Sequence, residues 1–91
     1  MLKIAATKQF RKDYKKCKKL GLDSELREVI DKLSTGQGLD RSFCDHPLKG
    51  NYAGFRECHI RSDWVLIYRI EDDKFVLTVV RTGTHSEVLN M

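Results

Sequence analysis

No two of the three cysteines, Cys17, Cys44 and Cys58, form a CxxC pair, and their number is odd. That fits a reducing cytosol better than a secreted disulfide framework. Long apolar runs are missing too. The longest is Trp64 to Tyr68, far short of a membrane span. The opening Met-Leu-Lys-Ile-Ala-Ala-Thr has too few apolar residues for a signal peptide. A soluble, cytoplasmic protein is therefore expected. There is no internal repeat and no low-complexity tract. At 91 residues the chain is too short for a doubly wound nucleotide enzyme, a TIM barrel or a multidomain machine. What remains is one domain over residues 1–91, a small catalyst or a binding module.

With 41% hydrophobic and 33% charged residues, the composition supplies a core and excludes disorder. Residues 1–7 alternate as a short strand. From Lys8 the period becomes helical, with Phe10, Tyr14 and Cys17 on one stripe and Gly21 as the left-handed stop. Asp23 or Ser24 is expected to cap a second helix that carries Leu26, Val29, Ile30 and Leu33 on one face. Residues 34–54 show little periodicity and many glycines, the mark of a functional or mobile segment. Three period-two runs follow, Phe55 to Ile60, Trp64 to Ile70 and Phe75 to Arg81, joined by Arg61-Ser62-Asp63 and Glu71-Asp72-Asp73. Thr84 and Glu87 have capping-box spacing for a terminal helical turn. The order predicts an α+β domain, with an N-terminal strand and helical hairpin on a mostly antiparallel sheet of about four strands.

All three histidines, His46, His59 and His85, fall in the second half, with Asp63 and Arg81. Their positions at strand ends and loops could place them on one rim of the sheet. Two histidines and an arginine suit proton transfer at a phosphate, although a single histidine is more often a plain surface group. A metal set of His46, His59, His85 and Asp63 is the rival, but no pair has finger or HExxH spacing, so no metal is expected. Between Lys3 and Lys19 stand eight Lys or Arg and one acid, Asp13. The formal net charge of +4 means that the rest of the chain is net acidic. This segregation favours Lys12, Lys15, Lys16 and Lys19 as a surface for the RNA backbone over a merely solvated helix face. Tyr68 is placed in the core; Trp64 could either join it or stack on bases.

Four ordered blocks carry a family resemblance: Asp45-His46-Pro47-Leu48-Lys49-Gly50, Phe55-Arg56-Glu57-Cys58-His59-Ile60, Asp63-Trp64-Val65-Leu66-Ile67-Tyr68 and Arg81-Thr82-Gly83-Thr84-His85-Ser86-Glu87. Over essentially its whole length the chain resembles the RelE/ParE superfamily of bacterial toxin–antitoxin toxins, in its YafQ branch. The resemblance implies a RelE-like fold and a ribosome-dependent mRNA endonuclease without cofactor, neutralised by a cognate antitoxin whose complex binds its own operator DNA. It implies a site of His46, His59, Asp63, Arg81 and His85, with Trp64 beside it. Toxins of this branch often end in an aromatic residue, whereas this chain ends Val88-Leu89-Asn90-Met91. In the expected mechanism Asp63 with His59 takes the 2′-hydroxyl proton, and His85 protonates the leaving oxygen. Arg81 stabilises the phosphorane, and His46 orients the nucleotide or substitutes as base. The alternatives are a ParE-like DNA gyrase inhibitor and a non-catalytic RNA- or protein-binding module.

Overall fold

The computed structural model describes residues 1–61 and 63–89. The turn read at Arg61-Ser62-Asp63 is thus described only in part, and the tail residues Asn90 and Met91 lie outside the described residues. The early alternation is strand β1, Lys3–Ala6. Thr7 then caps helix α1, Lys8–Lys19, its hydroxyl accepting from the Phe10 amide. Gly21 has a φ of 76°. The Leu22 amide donates to the Cys17 carbonyl at 3.1 Å, so the left-handed stop closes the helix as expected. Helix α2 is Asp23–Ser34. Its cap differs from expectation: Leu22 is the N-cap, and no side chain bonds the free amides. The tight joint draws Leu22 into closing α1, which leaves Asp23 inside the first turn of α2.

Among the described residues the sheet has five strands, one more than the alternation suggests. Strand β2 is His46–Pro47, β3 Arg56–Arg61, β4 Trp64–Glu71 and β5 Val76–Thr84. Helix α3, His85–Leu89, follows β5 directly. The spatial order is β1-β5-β4-β3-β2, with β1 parallel to β5 and every other pairing antiparallel. Strand β2 escapes a pattern search because it is only two residues long and one of them is proline. Among the described residues, no helix is long and apolar enough to cross a membrane.

Alternation along β3 and β4 divides the side chains between two faces. Cys58, Ile60, Trp64, Leu66 and Tyr68 pack with Phe10, Cys17, Leu26, Val29 and Leu33 beneath the two long helices. Val65 and Ile67 pack on the opposite face with Val88 of α3. Burial pushes the Cys17 thiol up to about 11 and the Cys58 thiol to about 12, so both are inert packing groups at neutral pH.

The irregular segment is tied to this frame at Asp45. One oxygen of its carboxylate accepts from the buried Tyr68 hydroxyl at 2.6 Å and from Arg56 Nε at 3.1 Å. His46 follows immediately, so the node fixes where β2 can lie. Tyr68→Phe removes one of the two donors and leaves the ring in place. It should lower unfolding free energy in urea by about 1 kcal/mol. Unchanged stability would show that Arg56 alone holds the segment.

Candidate active site

Glu57 and His59 alternate with Cys58 and Ile60, so they face away from the two long helices. Glu57 lies opposite His46 of β2 and Ile67 of β4. A glutamate at this place is costly, because its side chain is only 2% exposed and its Oε2 is buried with no hydrogen-bond partner among the described residues. The other oxygen, Oε1, has three imidazoles around it. His85 Nε2 is 3.0 Å away, His59 Nε2 3.6 Å and His46 Nε2 3.7 Å. A carboxylate out of water needs a counter-charge.

Each histidine arrives by a different route. His46 is placed by β2, and its Nδ1 lies 2.6 Å from the Cys44 carbonyl. A carbonyl only accepts, so Nδ1 carries the proton and Nε2 of the neutral ring keeps its lone pair. His59 sits on β3, its ring edge-on to His85 with centroids 4.8 Å apart. His85 opens α3 behind a reciprocal capping box, in which the Thr84 amide donates to Glu87 Oε1 and the Glu87 amide to Thr84 Oγ1, both at 3.3 Å. The capping-box spacing thus marks the turn that delivers His85.

Asp63 stands on the outer side of His85, its Oδ1 3.2 Å from Nδ1. Partial burial pulls the His85 pKa down, but the hydrogen bonds to Asp63 and Glu57 outweigh it and the net direction is upward. Asp63 has no hydrogen bond to His59, the partner expected for it. The carboxylate that meets His59 is Glu57, two residues earlier on the same strand face. The period of two that places His59 on this face places Glu57 there as well.

Arg81 lies at the margin of this group. Its Nε and Nη2 donate to Asp13 of α1 at 3.2 and 3.3 Å, and its Nη1 donates to the Glu87 carbonyl at 3.2 Å. Nη1 and Nη2 each keep one further N–H for a ligand oxygen. Lys16 pairs with Glu87, two residues past His85, and with Thr84 this holds the Glu87 carboxyl down at about 2. Lys12, Lys15 and Lys19 are exposed along the same helix. Trp64 does not reach the rim. Only 5% exposed, it lies in the core under the helices, where its ring cannot stack on a base.

Glu57, His59 and His85 each offer one ligand atom within 4.8 Å of the others, a donor set able to hold a metal ion.

Residues 2–90 match the family model described as the bacterial toxin of type II toxin–antitoxin systems, YafQ. The Escherichia coli K12 protein named mRNA interferase toxin YafQ is 36% identical over 80 residues, covering 86% of this chain and 85% of that protein. A metal-bound toxin from Helicobacter pylori superposes with a TM-score of 0.89 at 44% identity, covering 97% of this chain and 99% of the other. In the E. coli DinJ–YafQ complex the matched chain gives a TM-score of 0.84 at 34% identity, with 97% and 98% covered. This chain belongs to the YafQ family of type II toxin–antitoxin toxins.

Proposed function

We propose that this toxin is an mRNA endoribonuclease that acts on ribosome-bound message and is restrained by a protein antitoxin, whose complex with it binds its own operator DNA. The observation that carries the reading is the convergence of His46, His59 and His85 on buried Glu57. It is supported by the E. coli relative's name, mRNA interferase, and by the DinJ–YafQ complex. The same relatives do not favour the gyrase-inhibitor alternative.

Cleavage by the RNA's own 2′-hydroxyl needs a base, an acid and cationic groups at the phosphate. His46 is the base, since its tautomer leaves a lone pair on Nε2. His85 is the acid, because its hydrogen bonds to two carboxylates favour its protonated form. The donated proton is the one on Nδ1, since Nε2 is tied to Glu57 while Asp63 is exposed and displaceable. His59 and the free N–H groups of Arg81 stabilise the phosphorane, once RNA draws the guanidinium toward the cluster. The bond between phosphorus and the 5′-oxygen breaks, giving a 2′,3′-cyclic phosphate and a 5′-hydroxyl.

The donor set of Glu57, His59 and His85 gives a metal-dependent route as the second reading. The H. pylori relative is described as metal-bound. A metal would compete with the proton that His85 needs, so the two readings separate under chelation.

His85→Ala should lower single-turnover cleavage by about 10²–10⁴-fold while antitoxin binding persists. The wild type should release 5′-hydroxyl ends and keep its rate after exhaustive chelation on ribosomes returned to magnesium. A 5′-phosphate end, or activity restored only by zinc or copper, would overturn the side-chain mechanism.

Asp63→Asn removes one of the charges that raise the His85 pKa. Activity requires protonated His85 and falls as pH rises through that pKa. The alkaline limb of the kcat/KM profile should therefore move to lower pH in the variant. An unmoved limb would remove Asp63 from the proton donor.

Changing Lys12, Lys15 and Lys19 to Gln should flatten the log–log salt dependence of ribosome binding by about one unit for each RNA phosphate that these lysines neutralise. The saturated cleavage rate should hold, because these lysines are not at the reacting phosphate. An unchanged slope would return α1 to a solvated face.

A further inference from the structure

A cavity of about 430 Å³ opens between α2, the 3-10 turn Arg41–Phe43 and the outer edge of β3. Strand β2 pairs only with Arg56 and Glu57, so beyond them no strand among the described residues covers that edge. Val29, Phe43 and Ile60 form apolar walls, and Glu25, Glu28 and Arg61 a charged rim. His59 belongs to both places. At the open edge of the sheet it is one of the residues lining the cavity, while its ring faces His85 and Glu57 of the cluster on the other face. The cavity thus adjoins the place where the scissile phosphate is expected, and nothing in the mechanism above uses it.

Its chemistry suits a base better than a phosphate. Arg61 is committed through Nε and Nη2 to the two oxygens of Glu25, which neutralises both. Glu28 forms an ion pair with Lys32 at 3.7 Å, and the same ammonium lies 5.6 Å from the Phe43 ring centroid, so the rim is balanced in charge while the exposed Glu28 carboxylate keeps lone pairs to accept further hydrogen bonds. Apolar walls with a carboxylate acceptor fit a flat heterocycle that presents an N–H donor. The volume lies in the range of small-ligand sites, ~300–1,000 Å³.

We propose that this cavity takes the base of the nucleotide next to the scissile phosphate, with Phe43 as the stacking surface and Glu28 accepting from an exocyclic amine. Adenine, cytosine and guanine carry that amine; uracil does not. The subsite rests on the endoribonuclease reading and adds a residue-level account of its base preference.

The test is a titration of isotope-labelled protein with AMP, CMP, UMP and inorganic phosphate, followed at backbone amides. Phosphate should move signals at His59, Arg81 and His85 and leave those of Val29, Phe43 and Ile60 in place. AMP and CMP should also move Val29, Phe43 and Ile60, with UMP about tenfold weaker. Phe43→Leu keeps an apolar wall but should weaken AMP roughly tenfold. Glu28→Gln should narrow the gap between AMP and UMP and spread mapped cleavage onto uridine-containing sites. AMP moving only the signals that phosphate moves would overturn the subsite, as would equal AMP affinity in both variants. Cavity signals that respond to an antitoxin and to no nucleotide would make it a protein interface instead. Should AMP occupy the cavity in a protein that cleaves no RNA, the endoribonuclease reading fails while the nucleotide site stands.

Discussion

A carboxylate withdrawn from water beside three histidines is the constraint on which the rest of this site depends. Glu57 is held among apolar neighbours of the sheet, and one of its oxygens has no hydrogen-bond partner among the described residues. Isolated, such a charge would cost several kcal/mol. The hydrogen bond from His85 at 3.0 Å offsets part of that cost, and His46, His59 and His85 each reach the carboxylate from a different element. Strand β2, strand β3 and helix α3 are therefore held in relation to one another by a single group. Of the three rings, His85 is the one whose protonated form is favoured, through its hydrogen bonds to Glu57 and Asp63.

Helix α1 has three duties and its sequence separates them. Phe10, Tyr14 and Cys17 face the core. Asp13, the one acid among its cations, faces the sheet, where it accepts from Arg81 and from the Thr82 amide. The lysines take what is left of the cylinder, and Lys16 reaches the Glu87 carboxylate behind His85. The acid that looked like an interruption of a basic run is the residue that holds Arg81 in place. A helix read only as a cationic surface would miss that the same helix sets the position of the guanidinium.

Much of the fold was legible because its elements are periodic. The two long helices, β1, β3 and β4 and the Thr84–Glu87 capping box follow from local pattern and cap chemistry. Strand β2 was not legible, since two residues carry no period. The α2 cap was misread because Leu22 also closes α1. At the site the histidines were legible as residues, but their partners were not. Asp63 meets His85 across 22 positions and Asp13 meets Arg81 across 68, and no local pattern encodes either pairing. Trp64, beside a polar turn, could equally have pointed outward; the face on which its strand alternates decides that it is buried.

Two sheet irregularities decide which arginine serves the site. In β5, Ile67 pairs with Arg81 and Tyr68 with Val79, so Val80 is an extra residue. A strict period of two from Leu77 and Val79 would bury Arg81 under the helices. The bulge turns it opposite Ile67 on the other face, beyond the point where β1 ends, and there it meets Asp13. In β3, His59 pairs with Val65 and Arg61 with Trp64, which makes Ile60 the extra residue. Continued from Glu57 and His59, the period would put Arg61 on the face of the histidines. The bulge sends it instead to Glu25 of α2. Bulges re-aim side chains at strand ends, and here the pair exchanges one guanidinium for another. Arg81 comes to the margin of the histidine cluster, and Arg61 is spent neutralising a wall of the neighbouring cavity. A phosphate is thereby favoured at one and a neutral base at the other, through backbone register alone.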